Sequence, residues 1–228
     1  NYESAVEYFK IYGEGAGIRR MPEYEEIVKK SFEECLINGD FKYAQFIRNE
    51  LGPDMDLLKE MEHCLAKGLG ECDMEYCHQL LQYFPEARNI AGYEGMVRKS
   101  FEESIINGDF NYAQFIRNEL GPDMDFVSEV SNGLAKSLYE GKREQWEQYL
   151  TYFPDETRKA VKIDGLQQAI INSFTLCLLS GLFEDAQFIS KTLCSDLDFS
   201  SEVANSLFNS LDEGKREQWE QYLTYFPD

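Results

Sequence analysis

The segment Ser31–Asp56, SFEECLINGDFKYAQFIRNELGPDMD, returns almost unchanged at Ser100–Asp125 as SFEESIINGDFNYAQFIRNELGPDMD. It returns a third time, more diverged, at Ser173–Asp198 as SFTLCLLSGLFEDAQFISKTLCSDLD. Tandem copies of one amphipathic segment have one economical fold, in which each copy covers the apolar side of its neighbour. Tyr24 and Tyr93 stand 69 positions apart, as do Pro85 and Pro154. Gly108 and Gly181 stand 73 apart, as do Trp146 and Trp219, and the four extra residues fall near Glu156–Val161. The stretch EGKREQWEQYLTYFPD is identical at Glu140–Asp155 and Glu213–Asp228. These spacings define repeat units at 19–86, 87–155 and 156–228. A short helix within 1–18 is expected to cap them, and the whole to form one continuous domain.

Each unit divides again. In the second, FEESIINGDFNYAQFIRNELGPD and LAKSLYEGKREQWEQYLTYFPD both read as helix, glycine turn, helix and proline stop. Val97, Phe101, Ser104 and Ile105 share a helical face, as do Phe110, Ala113, Ile116 and Leu120. Val130, Leu134 and Leu138 form a third stripe, and Trp146, Tyr149, Leu150 and Phe153 a fourth. Asp56, Asp125 and Asp198 stand where an acceptor would satisfy the first free amides of the third helices. Gly39, Gly108 and Gly181 stand where the first helices must end in a left-handed residue. No two-residue alternation is sustained, so no sheet is expected. The fold class is therefore all-α: a solenoid of stacked helical hairpins, about twelve helices in three two-hairpin units.

The segment IINGDFNYAQFIRNELGPDMDF resembles the helical part of an ankyrin repeat. That family's first helix ends in Asn-Gly, and its second closes on a glycine followed by Ala-Asp-x-Asn. Asn107-Gly108, Gly121 and Asp123 take the matching places, as do Asn38-Gly39, Gly52 and Asp54. The family's Thr-Pro-Leu-His turn is absent, so bare turns are expected in place of its β-hairpin fingers. Gly-Asp-Phe-x-x-Ala also resembles the Gly-x-Tyr-x-x-Ala of tetratricopeptide repeats. In its acidic, cysteine-containing, duplication-built style the chain resembles secreted salivary effectors of plant-parasitic gall midges such as the Hessian fly. That resemblance implies secretion and a host-protein target, with a cytoplasmic location as the alternative.

The charge balance narrows the partners. Forty-two acidic against 22 basic residues give a net charge of −20. Such a surface repels the polyanions of nucleic acids and anionic membranes, and suits a basic protein. No apolar run is long enough for a membrane span. The chain starts at Asn1 without Met or leader, so a trimmed piece of a longer protein is expected.

The hairpin following Asp56 is the odd one. His63, Cys64, Cys72, Cys77 and His78 all lie in it, and the second unit has Asn132, Gly133, Gly141 and Trp146 at the first four of those places. Three readings stand. Zinc could take Cys and His from two helices and a turn, although no paired C-x2-C is present. A disulfide could join Cys64 to Cys77 if the turn centres near Gly70. Buried thiols would pack as small apolar groups, and this is the expected reading. Cys194 replaces a helix-ending glycine and is expected to be exposed. No nucleophile–base pair or phosphate loop occurs, so neither enzyme, cofactor nor metal is expected. The expected function is a monomeric protein–protein interaction scaffold; the alternative is a metal- or thiol-dependent module or enzyme on the His63–His78 hairpin. Candidate partner-binding residues are exposed positions that change between units: Glu62 and His63, Ser131 and Asn132, and Asn205 on the third helices, with Lys42, Asn111 and Glu184 on the second. All are expected along one edge.

Overall fold

Each apolar stripe from Tyr24 onward forms a helix in the computed structural model, which describes residues 23–227; the capping helix expected within 1–18 lies outside them. Helices α1 (Tyr24–Ile37), α2 (Phe41–Phe46), α3 (Leu58–Gly70) and α4 (Met74–Tyr83) make the first repeat. Helices α5 (Tyr93–Asn107), α6 (Phe110–Phe115), α7 (Val127–Tyr139) and α8 (Arg143–Tyr152) make the second. A connecting helix α9 (Pro154–Ala160) leads to α10 (Asp164–Leu179), α11 (Phe183–Phe188), α12 (Ser200–Asp212) and α13 (Arg216–Tyr225). The described residues are thus all-α, with no strand. The helix beyond the expected twelve is α9. Its counterpart Pro85–Asn89 is a single 3-10 turn, and the four extra residues lengthen it into an α-helix, proline first in both cases.

The chain forms two compact units, Asn1–Val97 and Arg98–Asp228. Their boundary falls inside α5 rather than between repeats. In the first unit α1 packs on α3 and α2 on α4, so first and third helices make one layer, second and fourth the other. In the second unit α6 packs on α8, α7 on α9 and α10, α10 on α12, and α11 on α13, giving the same two layers.

One aromatic pair fastens the two hairpins of every repeat. Phe32 meets Phe84 edge-on at 5.3 Å, Phe101 meets Phe153 at 5.1 Å, and Phe174 meets Phe226 at 5.7 Å. The neighbouring tyrosines of the Tyr-Phe-Pro stops lie against the first residue of each second helix, Tyr83 on Phe41, Tyr152 on Phe110 and Tyr225 on Phe183. Such pairs add about 0.5–1.5 kcal/mol to their area burial. The repeated Tyr-Phe-Pro is therefore both a helix stop and a clasp.

Turn chemistry follows the sequence closely. Gly39, Gly108 and Gly181 adopt φ of 74°, 88° and 74°, where a side chain costs about 1–2 kcal/mol. The carboxylates of Asp56, Asp125 and Asp198 accept from the amides of Leu58, Val127 and Ser200 at 3.1, 3.0 and 2.9 Å. In the odd hairpin the left-handed residue is Cys72, at φ 55°, so the turn does not centre on Gly70. Its equivalents are Gly141 and Gly214. Cys72→Gly is expected to stabilise the first unit by about 0.5–1 kcal/mol, the backbone strain outweighing the entropy glycine adds to the unfolded chain. Urea titration checks this; an unchanged or lower midpoint would count against it.

The second helices do not run straight to their ends. Ile47–Leu51, Ile116–Leu120 and Ile189–Leu193 widen into π-turns, with the amides of Gly52, Gly121 and Cys194 bonding five residues back at 2.9 Å. Proline is not the cause, because Ser195 follows the third copy. The residues after these turns have φ of −126°, −126° and −146°, which any residue can adopt. Space is what restricts them. A Cβ on Gly121 would lie 2.9 Å from both the Met124 sulfur and the Phe126 ring. Leu197 replaces that methionine in the third repeat, and Cys194 is accommodated there, buried rather than exposed as expected.

Candidate functional site

The cysteine–histidine hairpin α3–α4 is a repacked version of α7–α8. In the latter Gly133 leaves room for the Tyr149 hydroxyl, since a Cβ there would lie 2.3 Å from it, and Trp146 is fully buried. In the former Leu80 replaces that tyrosine and Cys77 the tryptophan. The freed volume takes Cys64 in place of Gly133, and the Tyr76 ring, which a Cβ on Gly68 would meet at 2.6 Å. The cysteines are thus the small members of a size exchange. Cys64 and Cys77 are buried thiols with no disulfide between them. The cause is the turn: with Cys72 at its apex the hairpin is registered differently from one centred on Gly70.

The five residues do not converge. His63, Cys72 and His78 are exposed, whereas Cys64 and Cys77 point into the core. Among the described residues no three His, Cys, Asp or Glu side chains are grouped to hold a metal ion. Burial pushes the Cys77 thiol up to about 12 and raises Cys64 and Tyr76 as well. Burial also raises Cys177, to about 11, and Cys194. Nucleophilic cysteines require the opposite shift. In native protein treated with iodoacetamide at pH 8, Cys72 is expected to be alkylated and the buried Cys64, Cys77, Cys177 and Cys194 spared until the chain unfolds. Peptide mass spectrometry reads this directly, and rapid native labelling of Cys77 would contradict its burial.

The same shifts give a pH dependence. Cys77 and Cys177 keep their protons in the folded state above the ordinary thiol value of 9.0. Their contribution is complete below about pH 9 and lost as pH rises toward 11–12. Stability is expected to fall over that alkaline window, and less steeply in Cys77→Val. Parallel curves for the two proteins would rule out Cys77 as a contributor.

The variable polar positions occupy two places. On the first- and third-helix layer of the first unit the His63 Nδ1 lies 2.6 Å from Glu33, and on that of the second unit Asn132 donates to Glu102 at 3.0 Å. Thr175 takes the corresponding place in the third repeat but donates to the Ile171 carbonyl at 2.9 Å, and Asn205 is exposed. Glu62 is exposed beside them and Ser131 half-buried. Lys42, Asn111 and Glu184 belong to the other layer. Lys42 is exposed, Asn111 accepts from the Tyr152 hydroxyl at 2.9 Å, and Glu184 lies 3.7 Å from Arg143. The single edge expected from sequence is therefore two sets on different layers, because second helices stack on fourth helices and not on third. Sequence reasoning missed Glu33 and Glu102. Their signal was available: the aligned position is Glu, Glu and Thr, one turn from the first-helix stripe. Comparisons with protein-family models, with curated proteins and with solved structures each find no match to this chain.

Proposed function

We propose that the protein is a non-catalytic scaffold that binds another protein through the first- and third-helix surfaces of its compact units. One observation carries this reading. Equivalent polar positions on the first and third helices change from repeat to repeat, from Glu33–His63 to Glu102–Asn132 to Thr175 with Asn205. A repeat framework that varies its solvent-facing polar groups presents different hydrogen-bonding groups in each repeat. The net charge of −20 favours a basic partner. Within this reading the helices are ankyrin-like and the partner is a host protein met by a secreted effector.

The test is affinity capture from a candidate host extract, with a charge-matched unrelated protein as control. A saturable partner is expected with the wild-type chain. It should be lost when Glu62, His63, Ser131, Asn132 and Asn205 are replaced together by alanine, with thermal unfolding unchanged. Equal capture by both proteins, or none from several extracts, would defeat the proposal.

A further inference from the structure

The sixteen-residue segment repeated at Glu140–Asp155 and Glu213–Asp228 occurs in two environments within the second compact unit. In the first it is covered. Arg143 reaches from α8 to Asp185 on α11 at 2.9 Å and lies 3.7 Å from Glu184. Its guanidinium sits over the Phe188 ring at 5.4 Å, and Trp146 stacks on the same ring at 6.3 Å. Ser173 on α10 donates to the Leu138 carbonyl at 3.2 Å. Under this cover Trp146 and Leu138 are 0% and 3% exposed.

In the second environment the same face is open. Arg216, the counterpart of Arg143, is 82% exposed and pairs with Glu220 of its own helix at 3.7 Å. Leu211, the counterpart of Leu138, is 46% exposed, and Trp219 is half-buried. Phe208 and Leu223 extend the apolar area, at 70% and 67%. Single exposed apolar residues are ordinary, but several on one helical hairpin that also carries a tryptophan and an arginine have the makeup of an interface core.

We propose that the α12–α13 face is a docking site for a helical hairpin of α10–α11 chemistry. Its second helix carries an acidic pair to meet Arg216 and, three residues beyond that pair, a phenylalanine to lie against Arg216 and Trp219. Its first helix carries a serine aimed at the Leu211 carbonyl. The occupant is specified because the identical segment already binds one, through contacts that Arg216, Trp219 and Leu211 are free to repeat. Charge selects among hairpins. The α1–α2 hairpin has Lys42 and Tyr43 where α11 has Glu184 and Asp185, so it would place a cation against Arg216.

The test uses the full chain with Trp146→Phe, which leaves Trp219 as the reporting tryptophan, and a synthetic peptide of residues 154–199 as the probe. A saturable blue shift of Trp219 emission is expected. Affinity should fall about tenfold or more with Arg216→Glu; that residue is exposed, so the fold is retained. A peptide of residues 24–57, bearing Lys42 and Tyr43, should bind about tenfold more weakly. Absence of binding by the first peptide, equal binding by the two, or indifference to Arg216→Glu would each overturn the proposal. So would sedimentation showing a dimer of the chain alone with Trp219 already buried, since a second copy would then be the occupant.

Discussion

Trp146→Ala is expected to destabilise the second compact unit by about 3–5 kcal/mol, the cost of emptying a fully buried aromatic site. Trp219→Ala, in the same sixteen-residue sequence, is expected to cost roughly 1–2 kcal/mol, because only part of its surface is removed from water. Trp146 is completely inaccessible and stacks on Phe188, whereas Trp219 is half-buried with no such ring over it among the described residues. Circular dichroism in urea measures the loss. Hydrogen exchange resolved by helix assigns it, since a terminal hairpin can open independently of the rest. Equal losses at the two sites would mean that cover by α10–α11 contributes nothing to the inner copy.

The second large effect concerns volume. Gly133→Cys is expected to cost about 1–3 kcal/mol by overpacking, since its Cβ would lie 2.3 Å from the Tyr149 hydroxyl and 3.0 Å from Ile105. Adding Tyr149→Leu reproduces the Cys64 and Leu80 pair of the first repeat and should recover most of that loss. The signature of direct contact is a coupling energy of favourable sign in the double-mutant cycle. Gly133→Ser should cost less than Gly133→Cys. Ser206 already stands at this place in the third repeat, where Tyr222 is the counterpart of Tyr149. Strict additivity of Gly133→Cys and Tyr149→Leu would refute the size exchange.

That exchange also gives the cysteines of the cysteine–histidine hairpin a packing role. In sequence, two histidines and three cysteines within sixteen residues resemble a ligand set. In the fold, successive helical residues diverge, so His63 turns outward to Glu33 while Cys64 turns into the core. Which cysteine replaces which glycine was visible from the alignment of repeats. What fills the vacated space depends on Tyr76, which comes from another helix and a different alignment column. The candidate polar positions were read in the same partial way. Their variability and exposure are local properties, but placing them on one edge required knowing which helices stack.

Local physics set much of this protein before any tertiary contact was considered. The apolar period fixed the helices, left-handed positions demanded glycine at Gly39, Gly108 and Gly181, and carboxylates at Asp56, Asp125 and Asp198 supplied acceptors for free amides. Each depends only on residues within a few positions along the chain. Tertiary structure decided the rest: the burial of Cys194, the two-layer division of the polar positions and the different environments of Trp146 and Trp219. Two identical segments carry identical local preferences. Only the presence of α10–α11 against one of them buries its tryptophan and pairs its arginine, because burial and ion pairing are properties of what lies opposite.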